Sequence, residues 1–238
     1  MTGASHPAPL THGPAMRSIE SVSLEVPDPT AAERFYTAAF GLGPQLSLRA
    51  SKAPTSGFRG FTLSLVVSQA ATVDGLIGAA LDAGATPLKP VAKSLWGYGG
   101  VLRAPDGTIW NVATSSKKNT GPASRQIDQI VLLLGAADVA ASKRFYLDRG
   151  LAVARSFART YVEFAAPSTH IKLALYKRRA LAKDAGVSAN GTGSHRIIIA
   201  SDAEPFTDPD GFAWEAAAVR DRRRTRFATA ASAIPQAT

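Results

Sequence analysis

Glu215 closes the stretch Asp208-Pro209-Asp210-Gly211-Phe212-Ala213-Trp214-Glu215. Pro-Asp-Gly makes a tight turn: proline presets φ, aspartate bonds its own backbone, and glycine takes the left-handed position. The residues after it alternate as a strand, with Phe212 and Trp214 on one face and Ala213, Glu215 and Ala217 on the other. A carboxylate opposite two large apolar rings either meets solvent or projects into a cupped sheet, where it could bind a metal ion or a substrate. A second set lies upstream. Ile171, Leu173 and Leu175 share one strand face, which puts His170, Lys172, Ala174 and Tyr176 on the other. His170 and Tyr176 have the chemistry for proton transfer or substrate orientation there; the plainer reading is an amphipathic strand. Glu25 shares a polar face with Ser21 and Ser23, as a pocket carboxylate or a surface residue. Trp96 and Tyr98 read equally as pocket walls and as aromatics covering a core. Lys177-Arg178-Arg179 suits an anionic substrate or a solvated turn.

The elements that position these residues occur twice. Ala104-Pro105-Asp106-Gly107-Thr108-Ile109-Trp110-Asn111 matches the closing stretch turn for turn, 104 residues upstream, with Asn111 in place of Glu215. Arg34-Phe35-Tyr36 recurs as Arg144-Phe145-Tyr146, and Asp28 as Asp138. Ile19-Glu20-Ser21-Val22 recurs as Ile127-Asp128-Gln129-Ile130. The chain is two copies of one unit. The expected layout is a disordered leader over 1–16, a first domain over 17–114, a linker over 115–126, a second domain over 127–218 and a basic tail over 219–238.

In the first copy, alternation from Ser21 to Val26 predicts a strand, and Asp28 or Thr30 caps a helix carrying Ala31, Phe35, Ala38 and Ala39. Strands are expected over 45–50 and 61–67. Val73, Leu76, Ile77, Ala80 and Leu81 give the clearest helical stripe, stopped by Gly84. Two strands follow, near 96–100 and 108–113. The second copy predicts a strand over 127–134, a helix over 139–148 and strands near 153–157, 161–164 and 171–176. One helical turn at 181–185 stops at Gly186, and a tight loop at 191–194 leads into a strand over 195–200. The first copy is short of strands in its front half and the second in its back half. The class is α+β, with helices on the outer face of curled mixed sheets.

A chain of 238 residues with 45% hydrophobic content suits two globular units. No apolar run reaches the ~18 residues of a membrane span. With no cysteine, disulfides and thiolate metal sites are excluded. The N-terminus has no apolar signal core, so a cytoplasmic location is expected. Much of the net charge of +9 is local, at Arg220, Arg222, Arg223, Arg224 and Arg226. No aromatic platform or recognition helix accompanies that run, so a solvated tail is expected rather than a nucleic-acid contact. No phosphate-loop, dinucleotide or nucleophile-elbow motif occurs.

A strand ending in Val26-Pro27-Asp28, then Phe35-Tyr36, a late Trp96-Gly97-Tyr98 and a closing Pro209-Asp210-Gly211-x-x-Trp214-Glu215 together resemble the vicinal oxygen chelate superfamily. That superfamily includes glyoxalase I, extradiol dioxygenases, and fosfomycin and bleomycin resistance proteins. The resemblance covers about residues 17–217. It implies paired βαβββ modules curling around a pocket, often with one divalent ion (Fe, Mn, Ni or Zn) on the concave face. Carried over by position, the metal ligands fall on Ser21, Thr62 and Asn111 in the first copy, a set ill suited to a divalent ion. In the second they fall on Gln129, His195 and Glu215, an amide oxygen, an imidazole and a carboxylate. Such a set would leave coordination positions open to polarise a substrate oxygen. The implied function is that of a glyoxalase- or dioxygenase-like protein chelating vicinal oxygens of a small substrate, a lyase or dioxygenase if active. The alternatives are a metal-free binder of a drug or metabolite and a non-catalytic scaffold. The repeat leaves open whether the copies close on each other within one chain or in a homodimer.

Overall fold

The computed structural model describes residues 16, 18–41, 43, 45–94, 97–116, 118–166 and 171–217. Trp96, His170, the leader over 1–15 and the Arg220–Arg226 run lie outside the described residues. Met16, expected in the leader, is instead buried in the core, and its N–H donates to the Arg149 carbonyl at 2.7 Å.

The first copy runs β1 (Ile19–Val26), α1 (Pro29–Ala39), β2 (Leu46–Ala50), β3 (Thr55–Gly57), β4 (Phe61–Val66), α2 (Ala70–Asp82), β5 (Thr86–Ser94), β6 (Gly97–Arg103) and β7 (Ile109–Thr114). The second runs β8 (Gln129–Ala136), α3 (Val139–Asp148), β9 (Val153–Phe157), β10 (Tyr161–Phe164), β11 (Ile171–Lys177), α4 (Arg178–Ala185), β12 (Gly191–Gly193), β13 (Ile197–Ser201), β14 (Phe206–Thr207) and β15 (Ala213–Ala216).

Each copy holds one complete βαβββ unit and one shortened unit. In β4-α2-β5-β6-β7 the first strand lies parallel to the last, and β6 and β5 continue the sheet antiparallel. The unit β8-α3-β9-β10-β11 repeats that plan. The front of the first copy keeps β1, α1 and β2; the back of the second keeps β13, β14 and β15, with β13 parallel to β15. Units then pair across copies within the one chain. β4 joins β8 antiparallel from Phe61↔Leu134 to Val66↔Gln129, so the complete units share a seam. β1 joins β13 antiparallel, so the shortened units share another. One contact, Ile19↔Ile171, links both pairs into a sheet of 13 strands.

Alternation sorts the strand residues by face. Phe61, Leu63 and Leu65 of β4 and Ile130, Leu132 and Leu134 of β8 enter a core that α1, α2 and α3 cover. Both copies anchor that core alike. Asp28 and Asp138 cap α1 and α3, their carboxylates accepting from Ala31 N at 3.0 Å and Ala140 N at 2.9 Å. Tyr36 packs on Trp110, its hydroxyl donating to Asp106 at 2.8 Å. Tyr146 packs on Trp214 and donates to Asp208. The α1 stripe is turned from the expected one: Ala32 and Tyr36 are buried in place of Ala31 and Ala38, because the Tyr36 hydroxyl finds a carboxylate inside.

Several elements depart from the sequence reading, β5, β12 and α4 among them. β5 carries Pro87 and Pro90, which removes ladder donors and hides its strand character; it sits at the sheet edge, where proline is tolerated. The tight loop at 191–194 is β12, which pairs with β3 as a separate ribbon between the copies. α4 spans two turns and ends at Gly186 with φ +75°. It lies on the face opposite the other helices, whereas all helices were expected outside. Its Leu181, Ala182 and Ala185 pack with Val101, Ile109, Leu133 and Tyr176, which alternate with the residues of the main core.

Candidate functional site

The inner face of the complete pair is the face that α4 covers. Thr62 and Ser64 of β4, Asn111 of β7, Leu133 of β8 and Tyr176 of β11 point there. Thr62 and Asn111, paired by the sequence analysis, do come together: both line this space, and the Asn111 amide donates to Ser64 Oγ at 2.9 Å. α4 leaves a cavity of about 160 Å³, with Asp184 at its edge. Burial raises the Tyr176 pKa, and its hydrogen bond to Asp184 adds to the shift.

The expected metal ligands are not brought together. His195 lies two residues ahead of β13, not on it. Its Nδ1 contacts the Arg59 carbonyl at 2.5 Å, its Nε2 contacts the Asp210 carbonyl at 3.1 Å, and its ring stacks on Phe212. Both nitrogens therefore face carbonyl oxygens, and neither is open to a cation. Gln129 opens β8 opposite Val66, at the far end of β4 from Arg59. At 3.3 Å per strand residue it is about 20 Å from the imidazole. Glu215 lies on the shortened pair, where Arg49 Nη1 and Nη2 donate to its two oxygens at 2.9 and 2.7 Å. That ion pair holds the Glu215 carboxyl below its ordinary pKa. Among the described residues no group of three or more His, Cys, Asp or Glu is arranged to hold a metal ion. The donor set does not fit a divalent ion.

The other expected pocket residues are also dispersed. Tyr98 turns to the outer side, where its hydroxyl donates to Asp74 of α2 at 2.8 Å. Glu25 stands beside Arg49 on the shortened pair and accepts from Ser194 Oγ at 3.5 Å.

A larger cavity, about 380 Å³, opens at the rim of the inner face. The β3–β12 ribbon, the segment after α4 and the β6–β7 turn enclose it; Phe58, Ile109 and Val187 form apolar wall, and Thr55, Arg59 and Arg103 supply polar groups. Arg59 is held by the first Pro-Asp-Gly turn, its Nη2 donating to the Asp106 carbonyl at 2.6 Å. A Cβ on Gly107 would stand 2.8 Å from that nitrogen and push the guanidinium aside, and the φ of +90° is what makes the turn need glycine. Burial lowers the Arg59 pKa; Asp106 opposes the shift, while Arg196 and Arg103 add to it. The Asp106 carboxylate is itself committed, accepting from Tyr36 Oη and Thr108 N, both at 2.8 Å.

Arg59 and His195 occupy the same place in the two copies. Each stands two residues before its strand and meets the carbonyl of its copy's Pro-Asp-Gly aspartate. The sequence analysis set His195 against Thr62; the strand register sets Ile198 there. Arg59, in a loop, and Thr55 and Arg103, at the ends of strands, were missed because no motif or periodic signal marks them.

No family model and no curated protein matches the sequence. Among solved structures, glyoxalase I from Zea mays is similar, with 14% identity over 83% of this chain and 90% of that one and a TM-score of 0.54. A putative dioxygenase from Bacillus subtilis has 10% identity, 84% coverage of both chains and a TM-score of 0.54. The chain shares its fold with these two structures. At such identities the likeness is one of fold, and the site rests on this chain's own residues.

Proposed function

We propose that the protein binds a small molecule without a metal ion, and that its ligand occupies the cavity at the rim of the inner face. One observation carries this reading. α4 fills the inner face down to about 160 Å³, whereas the rim cavity, about 380 Å³, falls within the range usual for small-molecule sites, about 300–1,000 Å³. Its mix of apolar wall with a few fixed polar groups supports the same reading. A metal-dependent lyase or dioxygenase would need ligands converging on an open coordination position, and Gln129, His195 and Glu215 do not converge.

The test is a fragment screen by thermal shift on the full chain beside Val187→Trp. Val187 is half-buried on the cavity wall, so an indole there fills the space without entering the main core. Fragments that stabilise the native chain are expected to lose their effect in the variant. Fragments that stabilise both equally would contradict the assignment of the rim cavity.

A further inference from the structure

We infer that the rim cavity takes an organic anion, with a carboxylate or phosphate group between Arg59 and Arg103 and an apolar body against Phe58, Ile109 and Val187. This rests on the small-molecule reading above and names the ligand's chemical class.

The first argument is unmet hydrogen-bonding capacity. Buried polar atoms normally have partners, and those that do not call for an explanation. Among the described residues Thr55 Oγ1 and Arg59 Nη1, both on residues lining this cavity, are buried side-chain atoms without a partner. Two such atoms in one wall leave it short of acceptors.

The second argument is charge. Arg59 and Arg103 line the cavity, and no Asp or Glu does so among the described residues. The acceptor that Arg59 has found is a neutral carbonyl, not a carboxylate. Asp106, the nearby acid, has both oxygens occupied by Tyr36 and Thr108. Arg103 makes no ion pair among the described residues. Arg178, at the start of α4, adds a further guanidinium beside the ribbon, donating to the Phe58 carbonyl at 2.7 Å and the Ala189 carbonyl at 3.2 Å. Arg59 is part-buried and makes no direct ion pair among the described residues, Asp106 acting on it only at longer range, and an anion would answer it with charge-assisted, bidentate hydrogen bonds.

The third argument is the wall. Phe58 and Ile109 are buried residues of the small core under α4, and the cavity brings their surface next to the two guanidinium groups. Inorganic phosphate would use the charge and leave the wall uncovered; an organic anion uses both.

The experiment is calorimetric titration of the full chain with phenyl phosphate, benzoate, inorganic phosphate and the neutral benzyl alcohol, repeated on Arg103→Gln, Arg103→Lys and Val187→Trp. Arg103 is exposed, so its replacement leaves the fold intact. Phenyl phosphate or benzoate is expected to bind saturably and at least about tenfold more tightly than benzyl alcohol, a difference of about 1.4 kcal/mol. Arg103→Gln should weaken the anion about tenfold and leave benzyl alcohol unchanged, with Arg103→Lys recovering part of the loss. Benzyl alcohol binding as tightly as the anions, and only where Val187 is intact, would overturn the anion inference alone. Inorganic phosphate binding as tightly as phenyl phosphate would overturn its organic part. No Val187-dependent binding by any probe would overturn both this inference and the reading it rests on.

Discussion

Arg49 and Glu215 form a bidentate pair whose side chains are 48% and 44% exposed, so solvent screens it and it contributes about 0.2–1 kcal/mol. The Arg49 bond lowers the Glu215 pKa, so its stabilisation is present above the ordinary carboxylate value and fades as pH falls through the folded-state value. Glu215→Gln should therefore cost less than about 1 kcal/mol in urea melts at neutral pH, and nothing once the native carboxyl is protonated. Gly107 carries more. With φ +90° and a guanidinium 2.8 Å from any added Cβ, Gly107→Ala should cost about 1–3 kcal/mol in the same melts and displace Arg59. Residue types were legible in the sequence: the two Pro-Asp-Gly turns, Trp110 and Trp214, and both capping aspartates act as their chemistry implies. Their partners were not. Which atoms a histidine or arginine meets depends on strand register across copies, and Thr62 was matched to His195 where the folded chain matches Arg59.

α4 shows the same limit at the level of an element. Its stop at Gly186 was readable, but nothing in an eight-residue amphipathic stretch says which face of a sheet it will cover. The answer comes from Val101, Ile109, Leu133 and Tyr176, strand residues that would otherwise leave apolar surface on the inner face. Leu181 is the centre of that contact and is 3% exposed. Leu181→Ala should cost about 2–5 kcal/mol by lost burial and cavity formation. The vacated volume would extend the 160 Å³ space beside Thr62 and Asn111, so the variant should also gain binding of small apolar probes by thermal shift. β5 was missed for a different reason: Pro87 and Pro90 contradict a strand until its place at the sheet edge is known.

At the scale of the molecule, neither copy owns its sheet. β4 pairs with β8 and β1 with β13, so each seam needs a strand from both copies. Cutting in the linker would expose two apolar strand edges in either fragment. A fragment covering 1–118 should fail to melt cooperatively alone, and mixing it with the remainder should restore a cooperative transition. The repeat and the shortened halves were legible from the doubled motifs. The cross-pairing was not, because local periodicity is the same whichever neighbour a strand takes. That pairing sets the rim cavity between the β3–β12 ribbon, one strand from each copy, and the β6–β7 turn of the first. The most direct test of a metal-free site there is to titrate phenyl phosphate into chain dialysed against EDTA and into chain supplied with Ni or Zn. The account predicts one affinity in both, lost in Val187→Trp and kept in Glu215→Ala. Binding that appears only with metal and vanishes in Glu215→Ala would contradict it.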